Sequence, residues 1–262
     1  MTKKTMIAIG LATALAGTPT LAQTCDAYVG QTIDPKTFDQ AIAGLGDVAP
    51  KGEFETTAAY EARLANSGND GPLIIAKDIE DRKYLAYDAD NQVLGVKTYA
   101  LHNMNLSWWN IFYDAKIDSL KADLSNNHAV GISQKDTETG TYKAQNSYGA
   151  EATITEITRV SDGIFDRVAK DYREQLFKGN GPDLEGLPLD PASAQALKPK
   201  MKAAFVVVPK TPFFVQGEHS VGETTIRNPT DITERYRVLI ADIQCGLLTD
   251  DQNKVLASYE TN

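Results

Sequence analysis

The stretch Ala203-Ala204-Phe205-Val206-Val207-Val208, with Pro209 and Pro212 just beyond it, decides the fold class. Residues 204–208 are apolar at every position, so a strand here is covered on both faces and belongs in the middle of a sheet. The two prolines mark its exit. Further on, Val238-Leu239-Ile240-Ala241-Asp242-Ile243 is a second such run. Simple alternation puts Leu239, Ala241, Ile243 and Cys245 on one face of it. Strand patterns surround the pair at 213–217, 223–228, 235–246 and 254–259, and Asp250-Asp251-Gln252-Asn253 reads as the turn of a final hairpin.

Upstream, short apolar or alternating runs predict strands at 73–77, 84–87 and 93–101, with Asp88-Ala89-Asp90-Asn91 as a turn. Runs at 128–134 and 141–144 flank Asp136-Thr137-Glu138-Thr139-Gly140, which reads as another turn, and 150–159 continues as strand. Helical signals interrupt. A short one covers 36–43. Another starts at the N-cap Thr56, where Phe54 is placed to fold back as a hydrophobic staple and Tyr60 and Leu64 form an i,i+4 pair. A third runs from Ser107 to Leu124 with Trp109, Tyr113, Ile117, Leu120 and Leu124 in one stripe. A fourth starts near Ser161 or Asp162, with Phe165, Val168, Tyr172 and Leu176 on one face, and stops at Gly179. After a loop at 179–189, Asp190-Pro191 opens a short helix that ends by Lys198, ahead of Pro199. No repeat and no linker interrupts this order. The expectation is one α+β domain over 23–262, a largely antiparallel β-sheet with three to five helices.

Residues 1–22 stand apart from that domain. Lys3 and Lys4 precede an apolar run from Met6 to Ala16, Gly17 and Pro19 break it, and Thr20-Leu21-Ala22 places small residues where a signal peptidase reads. The run is too short for a bilayer, which needs about 20 apolar residues. A signal peptide cleaved after Ala22 is expected, and with it a periplasmic or secreted protein with no membrane span. Of the 262 residues, 26 are Lys or Arg and 35 Asp or Glu, a net charge of −9. Losing the leader removes two lysines and no acid. So acidic a chain is a poor nucleic-acid binder, because phosphate backbones need clustered cations.

Two cysteines remain, Cys25 and Cys245, in a chain bound for an oxidising compartment. An even count there predicts a disulfide. It pins the mature N-terminus to a late strand, and chain entropy gives roughly 5 kcal/mol for so long a loop, which strain lowers. Lipidation of Cys25 lacks the small residue before it (Thr24 stands there), and no CxxC or neighbouring histidine supports a reactive thiol.

Three segments carry a resemblance: Phe54-Glu55-Thr56 followed by Tyr60 and Arg63; Gly140-Thr141-Tyr142 to Asn146-Ser147-Tyr148-Gly149; and Ile240-Ala241-Asp242-Ile243-Gln244-Cys245-Gly246. Together they resemble a group of uncharacterised exported bacterial proteins. A Glu often precedes the Tyr in that group, where this chain has Ala59. The resemblance covers a minor part of the chain, implies a periplasmic protein, and transfers no site residue.

Catalytic patterns are sparse. His102, His128 and His219 are isolated in sequence, and there is no HExxH, GxSxG or SxxK. Gly179-Asn180-Gly181-Pro182 lacks the Lys-Ser/Thr pair of a phosphate loop, and a calcium loop at Asp88 fails because Val93 stands where glycine is needed. No metal or cofactor is expected. The suggestive feature is aromatic: Tyr99, Trp108, Trp109, Phe112 and Tyr113 lie close together, and Trp108 is the one the core stripe least accounts for. Trp108 is therefore the candidate ligand-binding residue. The expected function is a non-enzymatic binding or envelope-accessory protein with an unknown protein or small-molecule partner. The alternative is an exported hydrolase whose Ser/Thr, His and acid meet only in space.

Overall fold

The computed structural model describes residues 24–45, 52–65, 71–101, 128–166 and 183–261. Two predicted features, the leader at 1–22 and the helix at 107–124 with Trp108, lie outside the described residues. So does the greater part of the helix expected from Ser161.

Among the described residues the elements run α1 (Phe38–Gly44), α2 (Thr57–Ala65), β1 (Leu73–Asp78), β2 (Leu85–Asp88), β3 (Val93–Lys97), α3 (Thr98–Leu101), β4 (His128–Gln145), β5 (Glu151–Asp166), β6 (Asp183–Pro188), α4 (Pro191–Leu197), β7 (Lys202–Val221), β8 (Thr230–Thr249) and β9 (Val255–Glu260). The large sheet has the order β1-β7-β8-β5-β4, with β9 also on β8; β2-β3-β6 form a small sheet. Every pairing between these strands is antiparallel except β5 with β8, which run parallel from Thr155/Thr230 to Asp166/Ala241. The described residues thus make a strand-rich, mixed architecture, with few and short helices among them.

The apolar stretch behaves as its composition demands. Ala203, Ala204, Phe205, Val206 and Val207 are all buried, in a strand flanked by β1 and β8. Phe205 and Val207 face the main core, which takes Leu85, Leu94, Val96 and Leu184 from the small sheet and Phe38 and Ala41 from α1. Ala204 and Val206 face a second cluster with Cys25, Ile33, Cys245, Leu247 and Val255. At the far side, Lys77 Nζ of β1 donates to Gly131 O of β4 at 2.8 Å, so the two end strands of the sheet order meet.

The Cys25–Cys245 disulfide is present, with the two Cα atoms 5.6 Å apart. One detail of its setting departs from the alternation argument. Val206 pairs with Cys245 but Val207 pairs with Ile243, so Gln244 is an extra residue in β8. That bulge reverses the parity. Leu239, Ala241 and Ile243 stay in the main core, whereas Cys245 points to the opposite cluster.

Other expectations needed correction in the same physical terms. β7 does not stop at Pro209 but runs on to Val221, with a wide irregularity between Pro209 and Phe214 that holds Phe213 at a φ of 65°. Residues 223–228 are no strand: 223–225 are irregular and 226–228 bend. Asp136 to Gly140 is no turn: β4 passes straight through it with a bulge between Glu138 and Gly140, and the real hairpin is capped by Asn146 Oδ1, which accepts from Tyr148 N and Ala150 N at 3.0 Å each. Residues 161–166 are strand β5 rather than the start of a helix, 183–188 are strand β6 rather than loop, and 98–101 turn into α3. Phe54 is 95% exposed, so it makes no staple. Instead Glu55 accepts from Gly52 N at 3.1 Å and from Arg63 Nε and Nη2 at 3.0 and 2.9 Å.

Local signals fared better. Thr56 Oγ1 accepts from Ala59 N, Asp190 Oδ1 from Ala192 N and Ser193 N, Asp88 Oδ1 from Asp90 N and Asn91 N, and Asp250 Oδ1 from Gln252 N and Lys254 N. Thr37 and Gln40 form a capping box at α1. α1 is then laid against the sheet by Lys36 N, which donates to Ile74 O at 2.8 Å.

Candidate functional site

Where β4, β5, β8 and β7 extend beyond α1, the face that carried the main core turns polar. The register places Ser133, Asp162, Arg237 and Gln216 in one row across the four strands, and Lys135, Val160, Arg235 and Glu218 in the next. Together with Asp39 of α1 these residues line a cleft of about 660 Å³. Alternation explains why they converge: each stands two residues from its neighbour on the same strand, so all share one face.

Arg237 organises the floor. Its Nε and Nη2 donate to Asp162 Oδ1 and Oδ2 at 2.7 and 2.9 Å, and its Nη1 donates to Asp39 Oδ1 at 2.6 Å. The guanidinium also lies 5.6 Å from the centre of the Phe38 ring. The hydrogen bonds that Arg237 donates to Asp162 and then to Asp39 raise its pKa further, against the opposing effect of burial. Asp162 is buried and accepts in addition from Ser133 Oγ at 2.7 Å, so both carboxylate oxygens are engaged. By contrast Arg235 and Glu218 form an open pair at 3.3 Å, both more than half exposed. Lys135 has no ion-pair or hydrogen-bond partner among the described residues.

The opposite face of the same four strands carries a second polar group, buried at its centre around Ser161, Tyr236 and Glu234. Gln134, Ser161, Tyr236 and Gly217 make one row, and Asp136, Arg159, Glu234 and His219 the next. The Tyr236 phenol lies over Gly217, where any Cβ would collide with it. Ser161 Oγ donates to Glu234 Oε1 and accepts from Gln134 Nε2 at 3.1 Å, while His219 Nε2 stands 3.3 Å from Glu234 Oε2. Arg159 holds Asp136 through two bonds of 2.7 and 2.8 Å. His219 thus stands near the C-terminal end of β7, with its side chain only 8% exposed beside Glu234.

A serine, an acid and a histidine do meet here, but in the order serine–carboxylate–imidazole. A nucleophilic serine gives its proton to the imidazole, with the acid behind it. Here the hydroxyl spends its proton on Glu234, and Ser161 and Glu234 are buried, which closes the oxygen to a carbonyl.

Sequence reasoning found none of the cleft residues. The single available signal was Arg235-Tyr236-Arg237 directly ahead of an apolar run, the mark of a strand leaving a core. Trp108 lies outside the described residues. Of its aromatic neighbours, Tyr99 is half-exposed with its ring 5.5 Å from that of Tyr84. No helix among the described residues is long and apolar enough to cross a membrane. No family model, no curated protein and no solved structure matches this chain.

Proposed function

We propose that this chain is an exported, non-enzymatic binding protein, and that it takes a small polar ligand in the Arg237 cleft. The observation that carries the reading is the lining of the cleft. Four adjacent strands aim charged and hydrogen-bonding side chains at one open volume, and one of them, Lys135, has no partner among the described residues. The leader at 1–22 and the disulfide support an oxidising, exported setting.

A thermal-shift screen of small polar compounds on the mature chain tests it. A ligand at 100 times its Kd adds about 2.7 kcal/mol, roughly 5–10 °C in Tm for a domain of this size. The Lys135→Ala variant is expected to lose that shift while keeping its own Tm. A hit whose shift survives in Lys135→Ala places the ligand elsewhere. N-terminal sequencing of protein from the periplasmic fraction is expected to start at Gln23.

The hydrolase reading has one observation in its favour, the contiguity of Ser161, Glu234 and His219. An active-site-directed fluorophosphonate separates the two. No labelling is expected, and stoichiometric labelling of Ser161 would replace the binding reading with the catalytic one.

A further inference from the structure

The binding reading of the cleft leaves the ligand's chemistry open, and the geometry around Arg237 narrows it. Two of the three nitrogens of the guanidinium are spent on Asp162, a buried carboxylate that Ser133 also holds. That clamp and the Phe38 ring beneath fix the orientation of Arg237. Nη1 is the donor left to point into the cleft, and it meets Asp39, whose side chain is 74% exposed. Two carboxylates thus share one cation on unequal terms. One is buried and built in; the other reaches over from the first turn of α1 and stays mostly in water. A largely solvated partner contributes little and is easily exchanged.

We propose that the cleft binds a small dicarboxylate, one end of which displaces Asp39 from Arg237 Nη1 while the other end meets Lys135. The inference rests on the binding reading above. The charges of the lining agree with it: Lys135, Arg235 and Arg237 balance Asp39, Asp162 and Glu218, so Asp39 swinging away leaves an excess cation for the incoming carboxylate. Reach agrees as well. Lys135 lies two strands over and two residues along from Arg237, about 12 Å between backbones by ordinary sheet spacings, and two long side chains shorten that to the span of a short aliphatic diacid. Arg237 is a fork already held in place, so it is not reordered when the ligand binds.

Succinate and glutarate, titrated by calorimetry into the mature chain, are the probes, with the uncharged analogue succinamide as control. Wild type is expected to bind the diacids and not the diamide. Asp39→Asn is expected to bind them about tenfold tighter with its Tm little changed, and Lys135→Ala about tenfold more weakly. Unchanged or weaker diacid binding in Asp39→Asn overturns the displacement. Lys135-dependent binding of neutral or cationic screen compounds, with neither diacid bound, overturns the carboxylate inference and leaves the cleft reading standing. If no compound of any charge binds in a Lys135-dependent way, both fall.

Discussion

β7 and β8 pair from Lys202/Thr249 to Val221/Ile232 on either side of the break between Pro209 and Phe214, yet their two halves do opposite things. In the lower half Phe205, Val207, Leu239, Ala241 and Ile243 are buried in the main core, with Ala204, Val206, Cys245 and Leu247 packed on the reverse. In the upper half the same backbone ladder presents Gln216, Glu218, Arg235 and Arg237 to a cleft. Backbone pairing is common to both halves, so it does not distinguish them. The side chains do, and they divide the strand pair into a part that holds the fold and a part free to carry chemistry.

The largest expected effect lies in the lower half. Phe205→Ala removes a fully buried ring and is expected to cost about 3–5 kcal/mol in denaturant unfolding. A loss under about 1 kcal/mol would erase the distinction between halves. Next comes the boundary row. Arg237→Leu strands the buried Asp162 without its cation and should cost about 2 kcal/mol, less than a fully buried pair because Arg237 is partly exposed. Adding Asp162→Leu to it is expected to recover most of that loss, since no buried charge then remains unpaired.

The seam between β1 and β4 makes a pH-dependent prediction. Burial lowers the Lys77 pKa from 10.5 to about 8. Between those values the unfolded chain holds a proton that the folded chain has lost, so stability rises with pH. Denaturation midpoints are expected to climb between pH 8 and 10 by the equivalent of about 1–2 kcal/mol. Above pH 10 the buried Tyr259, whose pKa is raised by burial, pulls the other way. In Lys77→Met the climb between pH 8 and 10 should vanish. Smallest of all, Arg235→Ala in the upper half breaks only an open ion pair and should change stability by less than about 0.5 kcal/mol.

What was legible in the sequence follows the same division. Residues 204–208 announce a two-sided strand because every position is apolar, and Asp88, Asp190 and Asp250 announce turns or caps because each bonds backbone within four residues of itself. The disulfide was legible because two cysteines leave one pairing. Residues 136–140 misled for the converse reason: polar, turn-favouring side chains suit an exposed edge strand as well as a turn, and β4 is such an edge. One inserted residue, Gln244, reversed the face assigned to Cys245 without leaving any mark in the hydrophobic pattern. The cleft was invisible because its bonds are non-local. Arg237 meets Asp162 across 75 residues and Asp39 across 198, and only the register of the sheet brings them together.

The disulfide also has a consequence in time. Its two halves are separated by 220 residues, nearly the whole folded chain. A chain made from its N-terminus at about 5–20 residues per second exposes Cys25 for on the order of 10–40 s before Cys245 exists. For that interval the thiol has no native partner. The bridge is in this sense a completion mark: a chain that ends before residue 245 leaves Cys25 without its partner.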